Sequence, residues 1–232
     1  IFFAAVWALY VCLRHRGQNV LLLLASYVFY AAWDWRFLSL IWISTAVDYL
    51  AAQGIERSES RTRKRLLLTA SIVTNLGLLG AFKYFEFFAA EFIELLAWLG
   101  LSSTPQLWHI VLPVGISFYT FQTLSYTIDV YRGDAKPERN VVDFALFVCF
   151  FPQLVAGPIE RFSRLMPQIR ARRVIDGQAF TEGLYMVLMG LFKKIVIADN
   201  MAPLANAVFA TPPSELTGPE CGLGATSFAF QI

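Results

Sequence analysis

The chain is a succession of long apolar runs separated by short polar loops in which arginine predominates. Apolar length and basic flanks place segments at 1–13, 20–33, 37–52, 66–82, 84–99, 111–128, 141–156 and 181–198, and another apolar run opens at Cys221. A hydrocarbon core of about 30 Å offers no water to backbone N–H and C=O groups, so such runs must satisfy them internally, as helices. The expected fold class is therefore all-α. It is a polytopic transmembrane helix bundle of about eight membrane segments, with short interfacial or re-entrant helices, in a single transmembrane domain over 1–232.

Composition supports the membrane reading. Hydrophobic residues make up 57% and charged residues 16%, against roughly 45–50% and about 25% in soluble domains. A large soluble core could raise the apolar fraction, but it would not produce several runs near spanning length. Aromatic residues reach 16%, in keeping with Trp and Tyr gathering at membrane interfaces. The formal net charge of +2 is too small to suggest nucleic acid as a partner. Cys12, Cys149 and Cys221 have no metal or redox spacing, and the acidic residues are scattered rather than clustered as ligands. There is no glycine-rich phosphate loop and no Ser/His/Asp arrangement.

Both ends fall within apolar runs. The first, 1–13, covers about 20 Å at 1.5 Å per residue and has no basic segment before it. The last stops at Ile232. The chain is accordingly expected to be a piece of a longer protein, truncated at both ends. Basic loops at 14–17, 54–65 and 161–176 are expected on the cytoplasmic side, with the polar turn Asp34-Trp35-Arg36 opposite. Placing the third loop there requires the 84–99 helix to cross the bilayer or tilt strongly. Its Glu86, Glu91 and Glu94 argue instead for an interfacial helix.

Three stretches depart from plain lipid-facing helix. The first, 112–133, opens on Pro113, ends on Gly133 and carries Ser117, Thr120, Gln122, Thr123, Ser125, Tyr126 and Thr127. Ser117, Thr120, Thr123 and Thr127 recur at helical spacing, fitting either helix–helix hydrogen bonding or the lining of a substrate path. The second, 150–162, holds Pro152, Gly157 and Pro158 beside Gln153 and cannot continue a regular helix. It is either a helix ending at the interface or irregular backbone satisfied by protein around a cavity. In the third, Lys193 and Lys194 interrupt an apolar stretch and Asp199 follows. The lysines either snorkel to the interface or line a water-filled cavity. Ser117, Gln122, Gln153, Lys194 and Asp199 are the candidate substrate-path residues.

Taken in order, these segments resemble the membrane-bound O-acyltransferase family, in particular its bacterial branch acting in alginate O-acetylation and teichoic-acid D-alanylation. The resemblance also rests on Ala25-Ser26-Tyr27-Val28-Phe29-Tyr30, the Phe82-Lys83-Tyr84 step and Lys193-Lys194-Ile195-Val196-Ile197-Ala198-Asp199, and it covers essentially the whole chain. It implies a bacterial inner-membrane, multi-pass enzyme around a channel, with a histidine as general base for transfer to an acceptor hydroxyl. No cofactor is implied to be resident. The acyl donor, acetyl-CoA or an acyl-carrier thioester, is a substrate, and a polysaccharide such as alginate is the acceptor. A cytoplasmic donor or carrier protein and an extracytoplasmic acetyltransferase are the implied partners, beside the lipid bilayer.

The family's histidines lie in a later segment than any present here. His15 sits in a basic loop and His109 beside Trp108, and neither matches a family catalytic position. No catalytic residue is assigned within this chain, and the fragment alone is expected to be inactive. Two other classes remain open at this level. A transporter or channel would share the polar helix faces and broken helices, though no internal repeat supports it. A non-catalytic scaffold would dock a partner enzyme at the arginine loops.

Overall fold

The computed structural model describes residues 1–100, 111–154, 157, 160–174 and 176–232. Helix is the only regular secondary structure among them. The α-helices are α1 (Phe2–Cys12), α2 (His15–Asp34), α3 (Leu38–Arg57), α4 (Arg61–Leu79), α5 (Phe85–Trp98) and α6 (Ile116–Arg132). They continue with α7 (Val141–Cys149), α8 (Phe151–Leu154), α9 (Phe162–Arg170), α10 (Gly177–Phe192), α11 (Asp199–Ala210) and α12 (Gly218–Gln231). The chain forms two compact units, Ile1–Arg173 and Val174–Ile232.

By length and composition, two helical runs among the described residues are apolar enough to cross a membrane, His15–Arg57 and Arg61–Leu96. The first folds back on itself. Asp34 adopts extended backbone, its carboxylate accepts from the Arg36 amide at 3.0 Å, and a 3-10 turn over Trp35–Phe37 starts α3. Tyr27 and Trp42 consequently meet edge to face at 5.9 Å between ring centroids. In a straight helix they would stand about 22 Å apart. The hydrogen bond from the Arg36 guanidinium holds the Asp34 carboxyl below its usual range in this turn.

The second run corrects the division at Lys83. Residues 66–82 and 84–99 read as separate segments, yet α4 continues through a π-helical turn, Gly80–Tyr84, directly into α5. A π-turn accommodates one extra residue without reversing the chain. At about 54 Å the combined run outreaches a 30 Å core, so α5 prolongs α4 and makes no return crossing. Glu91 and Glu94 are exposed on it. The basic stretch 54–65 is also shorter as a loop than expected, because helix runs to Arg57 and resumes at Arg61. Only Ser58–Ser60 remain outside, with Ser60 capping α4.

The third basic segment reaches the same end of unit Ile1–Arg173 as the first two, by a different route. Helix α6 returns from the Asp34 end, where Tyr30 donates to the Val114 carbonyl at 3.0 Å. It delivers Glu138 and Arg139 beside α3, whose Gln53 and Tyr49 donate to their carbonyls at 2.6 Å. Helix α7 then starts upward but ends after nine residues, about 13 Å and too short to span. The chain turns at α8 and comes back, so that Arg170 meets Glu138 at 2.5 Å and Arg173 donates to Asn19 at 2.7 Å. Residues 141–154 thus form two short helices in place of one long span, and the arginine segment reaches this end without a crossing by α5. Tyr126, Phe144, Phe147, Phe162 and Met166 pack the core around them.

In unit Val174–Ile232 the segment expected over 181–198 is helical throughout, Lys193-Lys194 included. A π-helical turn, Lys193–Ala198, carries α10 into α11. Helices α11 and α12 pack antiparallel. Phe209 meets Phe228 at 5.4 Å, and a Cβ on Gly224 would lie 2.5 Å from Val208, so only glycine permits this approach.

Candidate substrate path and the polar core

Helix α7 ends because Phe150 leaves helical geometry ahead of Pro152, whose ring has no N–H to give and would clash one turn back. A continuous helix would have paired the Phe151 N–H with the Phe147 carbonyl. Instead Phe151 donates to Ser26 Oγ at 3.1 Å, and the Phe147 carbonyl accepts from Gln122 Nε2 at 2.7 Å. Neighbouring helices α2 and α6 therefore take up both groups that the break sets free, as backbone buried away from water requires. Gln153 Nε2 reaches Gln122 Oε1 at 3.4 Å, and both glutamines are buried. The N-terminus of α6 fits against this turn only through Gly115, at φ +77°, where a Cβ would stand 2.4 Å from the Leu154 carbonyl oxygen.

Of the sequence candidates in this unit, Gln122 and Gln153 come together at the break. Ser117 is the second residue of α6 and accepts from Lys83 Nζ at 3.1 Å, which joins α6 to the π-turn. The threonines have another fate. Thr127 donates to Asp48 Oδ1 at 2.8 Å, and Thr123 Oγ1 lies 3.3 Å from Ser44 Oγ and 3.4 Å from Asn75 Oδ1. Ser71 also donates to Asp48 Oδ1, Asn75 donates to Oδ2 at 2.7 Å, and Ser44 donates to Asn75 Oδ1 at 2.5 Å. Helix–helix hydrogen bonding is the use made of Thr123 and Thr127. Asp48 is fully buried and its cluster ties α3, α4 and α6 together.

At the basic end, Asn19 donates to Asp143 Oδ1 at 2.7 Å and to the Ile169 carbonyl at 3.1 Å while accepting from Arg173. Asn140 donates to Asp143 Oδ2 at 2.8 Å. Together with Glu138–Arg170, these bonds fasten the returning arm α9 to α2 and to the start of α7. In unit Val174–Ile232, Lys194 pairs with Asp199 at 2.5 Å, with both side chains substantially exposed. They border a cavity of about 630 Å³ with Gly190, Phe230 and Gln231. His15 opens α2, half-buried, while His109 lies outside the described residues.

The model of the membrane-bound O-acyltransferase family matches residues 138–217, which take in the α7–α8 break, α9, α10 and α11. Similarity to curated proteins extends further. A protein of Azotobacter vinelandii named "Probable alginate O-acetylase" is 40% identical over 100% of this chain and 46% of its own length. Its namesake in Pseudomonas aeruginosa is 41% identical over 100% of the chain and 44% of its own length. The chain belongs to the membrane-bound O-acyltransferase family. A Helicobacter pylori member named "Peptidoglycan O-acetyltransferase" is 34% identical over 91% of the chain and 44% of its own length. The chain thus spans under half the length of these relatives. No solved structure matches it.

Within this chain of the membrane-bound O-acyltransferase family, sequence reasoning missed the buried polar cluster around Asp48 and Asn75. Asp48 and Asn75 stand inside apolar runs. An ionisable side chain at such a place was the available signal, since it must find partners or be functional. Ser26 was quoted only as part of a motif, and its capping of Phe151 could not be read without knowing that α2 lies beside the break.

Proposed function

We propose that this chain is the amino-terminal part of a multi-pass enzyme of the bacterial inner membrane. The enzyme passes acetyl groups from a cytoplasmic donor, acetyl-CoA or an acyl-carrier thioester, to an extracytoplasmic polysaccharide such as alginate. The observation that carries this reading is the 40% identity, over the whole chain, to the Azotobacter vinelandii protein named "Probable alginate O-acetylase". The re-entrant α7–α8 turn supports it physically. Gln122 and Gln153 place amide groups beside irregular backbone inside the bundle, the setting in which a polar acyl donor could be held. Ser117 lies at the head of the same helix, and Lys194–Asp199 supplies charge in the second unit.

A donor or carrier protein is proposed to approach the basic end, and an extracytoplasmic acetyltransferase to receive the group opposite. Transport and passive scaffolding are not favoured, since the similar proteins are named for acetyl transfer. The test uses the full-length protein containing this chain, expressed in an alginate-producing bacterium that lacks its own alginate O-acetylase. Ester-linked acetate on the secreted alginate is then quantified by proton NMR. Restored acetylation is expected. Alginate that stays free of ester, with the protein present in the membrane, would count against alginate, and the same assay on peptidoglycan would then decide the acceptor.

A further inference from the structure

Unit Ile1–Arg173 holds a half-open groove of about 250 Å³ between α1 and α2 on one wall and α7, α8 and α9 on the other. Most of its lining is apolar, including Phe3, Trp7, Leu22, Leu146 and Phe151, and its basic end closes on Gln168 and Arg173. Phe3 is exposed on the outer edge, so the groove opens at the surface of this unit. From Phe3 to Tyr10 it follows α1 for about 10 Å. At the far end the Arg173 guanidinium lies over the Tyr10 ring at 5.9 Å and donates Nη1 to Asn19 at 2.7 Å. That bond occupies one of five N–H donors in the fork. The nearby carboxylates are already engaged, Asp143 by Asn19 and Asn140, and Glu138 by Arg170.

An alkyl-lined slot with a guanidinium at its interfacial end matches one ligand chemistry, a hydrocarbon chain ending in a phosphodiester. We propose that the groove seats one acyl chain of an anionic phospholipid, with its phosphate on Arg173. The membrane supplies both parts, since basic pockets between helices at one membrane face select acidic headgroups. The bound lipid would fill the space behind the α7–α8 turn and brace the re-entrant arm from outside.

The full-length protein in nanodiscs of equal phosphatidylglycerol and phosphatidylcholine tests this by native mass spectrometry of retained lipid. Preferential retention of phosphatidylglycerol is expected. Arg173→Ala should weaken it about fivefold, the factor for one cation at a membrane surface, while Arg173→Lys should keep most of it. Leu165→Trp, which narrows the groove, should lower retention of both lipids. Equal retention of the two lipids by the native protein would overturn the assignment. So would equal loss in Arg173→Ala and Arg173→Lys, because the residue would then act through its bond to Asn19. Displacement of the lipid by acetyl-CoA would also overturn it, and would make the groove a donor site.

Discussion

Two polar regions sit inside the same apolar unit, and they are built on opposite plans. Around Asp48 the bonds run from side chain to side chain among α3, α4 and α6, and both carboxylate oxygens are engaged. At the α7–α8 break the bonds run from side chain to backbone, and Gln122 and Gln153 meet at a long 3.4 Å. The first region closes on itself and serves cohesion. The second repairs a broken helix and retains amide groups that can exchange partners. Polar residues in a membrane bundle are therefore better sorted by what they bond to than by how polar they are.

The largest effect is expected where the closed cluster loses its acceptor. Asp48→Ala removes the carboxylate to which Ser71, Asn75 and Thr127 donate. At roughly 0.6–1.7 kcal/mol for each interhelical bond in a membrane, the loss is about 2–5 kcal/mol, read from the unfolding midpoint of the full-length protein in detergent. Asp48→Asn keeps one acceptor oxygen and should lose less than half as much. Similar losses in the two variants would mean that charge, not bonding, holds the cluster.

Gly115→Ala probes the seam between α6 and the break. A left-handed backbone costs a non-glycine residue about 1–2 kcal/mol, and the added Cβ would collide with the Leu154 carbonyl. A loss of about 2–3 kcal/mol is expected by the same unfolding measurement. If the variant is as stable as the native protein, α8 is free to move away and the break is not a fixed platform.

How much of this was legible in the sequence depends on the range of the cause. The broken helix was legible, because Pro152 and Gly157 act on their own backbone. The all-helical fold was legible too, since backbone in lipid has few alternatives. Continuity through Lys83 was not, nor the passage of the 181–198 helix directly into α11. A lysine reads as an interruption of hydropathy, while the helical backbone runs on through both π-turns. Asp48 was hidden for a different reason. Its partners are 23 to 79 residues away along the chain, and nothing local reveals that three helices converge there.

Gln122→Leu should separate the two plans most sharply in function. It strips the Phe147 carbonyl of its donor and removes the contact with Gln153, for about 1–3 kcal/mol of stability. Acetate transfer by the full-length protein should fall further than that loss explains, by tenfold or more at equal membrane abundance. If transfer and stability fall together, the break is cohesive like the Asp48 cluster.

Lys194→Met carries the smallest stability effect. Its pair with Asp199 is exposed on both sides, and such pairs contribute about 0–1 kcal/mol. The unfolding midpoint should therefore stay within error of the native value. The same variant separates snorkelling from a path residue, because the two readings make opposite demands on charge. A lysine that only reaches for the interface is replaceable by an unbranched apolar chain one atom shorter, with transfer unchanged. A lysine that meets an anionic donor is not, and Lys194→Arg should then restore what Lys194→Met removes.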